Sequence, residues 1–197
     1  MNRREALKGT ALIFGYALTG STVATIMQSC DTGSKLSWTP QVLNESQANT
    51  LSALVDRILP ATETPGAIDV GVDQFIDKIL HRVFPDNIQE GYASGLDEFN
   101  QYAKGQFNKN FTRLTHAEQD QIITAYEEKS GRMPNSIWNF TYKNSDDFPF
   151  YSMTKELALI GYFHSERISK EVLSYNPIPG PFIGCIPYDE VGTSWSE

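Results

Sequence analysis

Residues 44–83 read NESQANTLSALVDRILPATETPGAIDVGVDQFIDKILHRV, and this stretch decides the fold class. Leu51, Leu54, Val55 and Ile58 recur at steps of three and four residues, the period of one helical face. Asn44 with Gln47 three residues on has capping-box form, and Pro60 supplies the stop because its ring has no N–H to donate. The Pro- and Gly-bearing run from Pro60 to Gly71 is too broken for a helix and too irregular for a strand, so it reads as a loop. A second helix follows, with Val72, Phe75, Ile76, Ile79, Leu80 and Val83 on one apolar stripe that ends at Pro85.

Toward the C-terminus the same period continues. A third helix is predicted from Asn87 to Phe107 through Ile88, Tyr92, Leu96, Phe99, Tyr102 and Ala103, although Gly91, Gly95 and Gly105 lower its propensity. Thr115 and Glu118 form a second capping box, opening a fourth helix through Ile122, Ile123 and Tyr126 that stops at Gly131. Ile137, Trp138, Phe140, Tyr142, Phe148, Phe150 and Tyr151 crowd around Pro149, as packing under a loop or as a surface covered by a partner. A last long helix is predicted from Tyr151 to Leu173, burying Leu157, Ile160, Gly161 and His164 or their neighbours. Residues 176–197 form a Pro/Gly-rich yet apolar arm. It is too rich in Pro for a core helix and too apolar for a disordered tail, so it is expected to pack in extended form on its own chain or on another. With no strand alternation and no repeat, the expectation is an all-α domain over residues 41–197, with about five or six helices, long irregular loops and this arm.

Toward the N-terminus the composition changes. Arg3, Arg4 and Lys8 precede an uncharged run from Gly9 to Met27, and residues 1–29 read as an export signal rather than a short core helix. Arg3-Arg4, the following Leu7 and Lys8 resemble a twin-arginine signal, the route that carries folded cargo. Ser29-Cys30 resembles a lipoprotein box. Met27 and Gln28 depart from its usual residues, so lipidation of Cys30, simple cleavage and an uncleaved anchor all stay open. Residues 31–40 read as a polar tether behind that anchor. The expected location is the periplasm or cell envelope, with the membrane held through Cys30.

Sixteen basic against 24 acidic residues give a net charge of −8, or −10 after cleavage before Cys30, which argues against a nucleic-acid partner. With three His and two Cys scattered along the chain, a zinc site would need nearly all of them, and no Cys-x-x-Cys-His can attach a c-type haem. No phosphate loop or dinucleotide fingerprint occurs, so no cofactor is assigned to this chain. His164 beside Ser165 and Glu166 reads as a core histidine before a catalytic one, and His81 as a helix-end residue. Glu127-Glu128 and Asp146-Asp147 read as solvated surface. No catalytic or metal constellation emerges, which weighs against an independent enzyme. Cys185 would be an odd thiol in an oxidising compartment if Cys30 is lipidated, either buried or paired with another chain.

Three stretches resemble the gluconate 2-dehydrogenase subunit 3 family, the small subunits of membrane-associated flavin-dependent sugar and polyol dehydrogenases. They are Val55 to Ala67 with Val70-Gly71-Val72, Ile160 to Glu166, and Tyr175 to Pro187 ending in Gly184-Cys185-Ile186-Pro187. At His164 many relatives carry Thr, which takes further weight from a catalytic role there. The resemblance implies a non-catalytic subunit. FAD would sit in a large subunit of glucose-methanol-choline oxidoreductase type, haem c in a cytochrome c subunit, and this chain would act as export escort through the twin-arginine translocation machinery. The expected contacts are Pro179, Gly180, Phe182, Cys185 and Pro187 on the arm, with Trp138 and Phe150 in the aromatic cluster. Cys185 would bridge to the large subunit or pack against it. The alternative is a free-standing envelope lipoprotein that binds a small ligand or a partner without a dehydrogenase.

Overall fold

The computed structural model describes residues 36–130 and 149–174, together with 180, 181, 184, 185, 187–192 and 194. The signal residues Arg3, Arg4, Leu7 and Lys8, the candidate lipidation site Cys30, and Trp138, Asp146, Asp147, Pro179 and Phe182 lie outside the described residues. The fold is all-α, with no strand among the described residues.

Helix α1 (Glu45–Ile58) starts at the predicted capping box. Asn44 Oδ1 accepts the Gln47 N–H at 2.9 Å, and Gln47 Oε1 accepts the Asn44 N–H at 3.0 Å. The loop after it contains a short 3-10 helix, Ile68–Val70, where the sequence suggested irregular chain. Gly71 follows at φ +70°, a left-handed conformation that suits glycine and starts α2 (Val72–Val83). The stripe of α2 is shorter than predicted, because Val83 in the last turn is exposed.

Helix α3 (Asp86–Phe107) ends on Asn108 at φ 55°, a left-handed cap that Asn tolerates. Helix α4 (His116–Ser130) opens on the second capping box. The Glu118 carboxylate accepts the Thr115 N–H at 2.7 Å and its hydroxyl at 2.9 Å, and these bonds hold its pKa below the ordinary value.

The predicted long helix from Tyr151 to Leu173 is two helices, α5 (Phe150–Phe163) and α6 (Glu166–Glu171). Ser165 makes the break. Its hydroxyl donates to the Tyr162 carbonyl at 2.7 Å and accepts the Ile168 N–H at 3.4 Å, so one side chain closes α5 and caps α6. His164 therefore lies at the exposed joint and is not a core residue. The arm adds one turn of helix, α7 (Tyr188–Val191), and returns to the body where the Ser174 N–H donates to the Ser194 carbonyl at 2.9 Å.

Two apolar clusters share α1 and α3. The first gathers Leu51 and Val55 of α1, Ile76 and Leu80 of α2, and Leu157 of α5; the second gathers Leu54, Phe99, Phe111 and Ile122. Phe150 touches both. Its ring meets Tyr92 edge-on at 5.2 Å and lies 6.0 Å from Phe99, and a Cβ at Gly95 would come within 2.5 Å of the Phe150 Cβ. Beside it the buried Tyr92 hydroxyl meets the Thr154 hydroxyl at 2.8 Å. Thr154 already donates to the Phe150 carbonyl, so Tyr92 is the donor. Burial pushes the Tyr92 phenol well above its ordinary pKa, and burial together with the Glu127 charge pushes Tyr151 up to about 12.

The predicted tether is not loose along its described part. The Trp38 indole donates to Asp73 at 2.9 Å, and the N–H groups of Gln41, Val42 and Leu43 donate to Asp77 at 2.7, 3.2 and 3.1 Å. Asp73 also accepts from the Ser52 hydroxyl at 2.7 Å. Both carboxylates are buried, one turn apart on α2, and these donors replace the water that burial removes.

Candidate docking surface

The loop between α1 and α2 is built as a closed unit. The Ala67 N–H donates to the Leu59 carbonyl at 2.8 Å, joining its ends, and the Thr62 N–H donates to the Thr64 carbonyl at 3.0 Å. Asp69 Oδ2 accepts the Gly66 N–H at 2.8 Å. Gly66 is buried against the other side of the loop, where an added Cβ would fall 2.5 Å from the Ala61 nitrogen. A compact loop with joined ends and a filled interior has the form of an Ω-loop. Pro60, Ala61, Thr62 and Glu63 stand exposed at its rim.

Helix α5 fastens this loop from the side. The Tyr162 hydroxyl donates to the Pro65 carbonyl at 2.8 Å and lies 3.5 Å from the Thr64 hydroxyl. The same helix packs closely on α2 because residue 161 is glycine. A Cβ there would sit 2.5 Å from the Phe75 ring of α2. Phe163 meets the Tyr162 ring edge-on at 5.4 Å and remains 45% exposed. Leu159, one turn earlier, is 38% exposed, and Ile68, on the 3-10 helix that ends the loop, is 42% exposed. Thus two of the three stretches singled out in the sequence, the loop and the end of α5, meet through one tyrosine.

The residues expected to touch a partner divide differently. Phe150 is a packing ring between the two clusters, so most of its surface is already taken by the fold. Gly180, Cys185 and Pro187 are exposed on the arm. Cys185 is a free, exposed thiol, so the buried reading of that residue falls away within the single chain. The sequence reading missed Ile68, Leu159 and Phe163. Their signal was faint, because an apolar residue on a helix reads as core until the neighbouring elements are placed.

This arrangement suits binding. Among the described residues no group of three or more His, Cys, Asp or Glu is placed to hold a metal ion, and no helix is long and apolar enough to cross a membrane. No curated protein and no solved structure matches the chain. The family model described as gluconate 2-dehydrogenase subunit 3 matches residues 45–180, which takes in α1 to α6 and both halves of the fastened loop. The chain belongs to the gluconate 2-dehydrogenase subunit 3 family, the accessory subunits of a dehydrogenase complex.

Proposed function

We propose that this chain is the non-catalytic small subunit of an exported FAD-dependent dehydrogenase of glucose-methanol-choline type, acting on the CH–OH groups of a sugar, sugar acid or polyol. In that complex it serves as export escort and stabiliser of the flavoprotein. The observation that carries the reading is the family match over residues 45–180. The paired Arg3-Arg4 in the same chain supports the escort role. A flavoprotein acquires FAD as it folds, so it must cross the membrane already folded. A chain with a folded-cargo signal and no cofactor motif supplies the address and not the chemistry. Lipidation at Cys30 with more than one acyl chain would then hold the complex at the membrane, since a single chain anchors weakly. Electrons would leave the flavin for a haem c subunit or another acceptor.

The test is co-expression with the flavoprotein encoded nearest to this chain, as wild type and with Arg3→Lys and Arg4→Lys together. Flavin and dye-linked sugar oxidation are then assayed in periplasm and membranes. Activity outside the cytoplasm only with intact Arg3-Arg4 is the expected result. Export of the flavoprotein regardless of this chain would overturn the escort role and favour a free-standing envelope lipoprotein.

A further inference from the structure

We infer that the loop around Pro60–Glu63, with Ile68, Leu159 and Phe163, is the surface that seats the dehydrogenase subunit, and that the seat it fits is apolar with a basic rim. This inference rests on the accessory-subunit reading and goes further by naming where the partner sits and what its surface must carry. Four large apolar side chains are exposed among the described residues, and three of them lie on the two elements that Tyr162 ties together. Leu159 and Phe163 stand one turn apart on α5, and exposed apolar side chains gathered on elements that are tied together are a mark of interaction sites. The loop's hydrogen bonds and the buried Gly66 fix its backbone before any partner arrives, so little conformational freedom remains to be lost on binding.

Charge selects the occupant. From Leu59 to Gly71 the chain carries Glu63 and Asp69 and no Lys or Arg, and both acids are exposed. A second copy would bring these acids against a chain of net charge −8. The arm beyond residue 176 carries Asp189, Glu190 and Glu197 and no base, so it is a poor cover for the same acids. Anionic lipid is repelled for the same reason. What remains is another protein with Arg or Lys around an apolar seat, as electrostatic complementarity requires.

The experiment uses the full chain co-expressed with its flavoprotein, affinity-tagged on the flavoprotein, comparing wild type with Ile68→Ser/Phe163→Ser, Glu63→Lys and the control Val83→Ser. All four side chains are exposed, so thermal melts of the isolated variants should match wild type. The expected result is a roughly tenfold or larger rise in Kd for the double variant. Glu63→Lys should weaken binding less and flatten its salt dependence, while Val83→Ser should bind as wild type does. Wild-type affinity in both the double variant and Glu63→Lys would overturn this surface while leaving the accessory role intact. A wild-type chain that fails to co-purify would overturn the accessory role itself. Self-association that the double variant abolishes, with dehydrogenase binding untouched, would assign the surface to a second copy and also overturn the inference.

Discussion

Two short non-helical segments are pinned to the same helical body in opposite senses. The strap over residues 38–43 turns its N–H groups and the Trp38 indole inward onto Asp73 and Asp77 of α2. The loop from Leu59 to Ala67 closes on itself, and the body reaches out to it through Tyr162. In the strap, buried carboxylates leave the fold dependent on every donor. In the loop the fastenings are interior, so the side chains at the rim are not needed for folding and are free for recognition. Segments that look equally irregular in sequence thus divide into one that stabilises and one that presents.

The largest effect is expected at Asp77. Replacing it by Ala removes the acceptor of three backbone N–H groups, the buried one of Leu43 and the part-buried ones of Val42 and Gln41. A buried unsatisfied donor costs about 1–3 kcal/mol and the two nearer water add less, so a loss of roughly 3 kcal/mol should appear in urea denaturation. Asp77→Asn should fall between, because its oxygen can still accept from Val42 and Leu43 while its amide faces the Gln41 N–H. A stability for Asp77→Ala within about 0.5 kcal/mol of wild type would mean that the strap adds little, erasing the contrast with the loop.

Next comes Gly66→Ala, which drives a Cβ into the Ala61 backbone and should cost about 1–3 kcal/mol. Gly161→Ala should cost less. Its Cβ meets the Phe75 ring, a side chain that can shift, and Ala regains up to about 1 kcal/mol of helix preference. Thermal melts that reverse this order would show the loop to be soft and would remove the preorganisation argued for docking. Tyr162→Phe removes one hydrogen bond to Pro65 and should cost about 0.5–1.5 kcal/mol, with faster hydrogen exchange confined to the loop amides. Faster exchange spread over α5 instead would mean that Tyr162 braces the helix more than the loop.

The helices were legible wherever a local rule spoke alone. Asn44 with Gln47 and Thr115 with Glu118 placed two helix starts, because a capping box is complete within four residues. The break at His164-Ser165 was not legible. Leu157, Ile160 and Gly161 run on toward Ile168 in a helical pattern, and only the bonds of Ser165 to both flanking turns divide it. Nothing in the sequence set Asp73 and Asp77 apart, since acids on an amphipathic helix usually face water. Their burial depends on a strap that arrives from more than thirty residues earlier in the sequence. The docking surface was half visible: the loop stood out in the sequence, whereas its partners on α5 needed the tyrosine that bridges 97 residues of chain.

Glu118 offers the same chemistry as Asp77 without the burial, a carboxylate accepting a backbone N–H at 2.7 Å but in the open. Its pKa is lowered from 4.5, first by the Thr115 backbone bond and then by the Thr115 hydroxyl. A carboxylate whose folded pKa is depressed stabilises the fold above its unfolded value and loses that contribution as pH falls through the folded one. The stability advantage of wild type over Glu118→Ala should therefore hold from neutral pH down to about 4.5, then shrink as the pH drops further. Thermal melts of both proteins across that range measure it, and the difference should be small, because water replaces at Glu118 most of what the Ala variant loses. A pH-independent difference would assign the effect to helix propensity at position 118 and not to the carboxylate. A difference as large as that of Asp77→Ala would show that burial is not what separates the strap from the rest of the molecule.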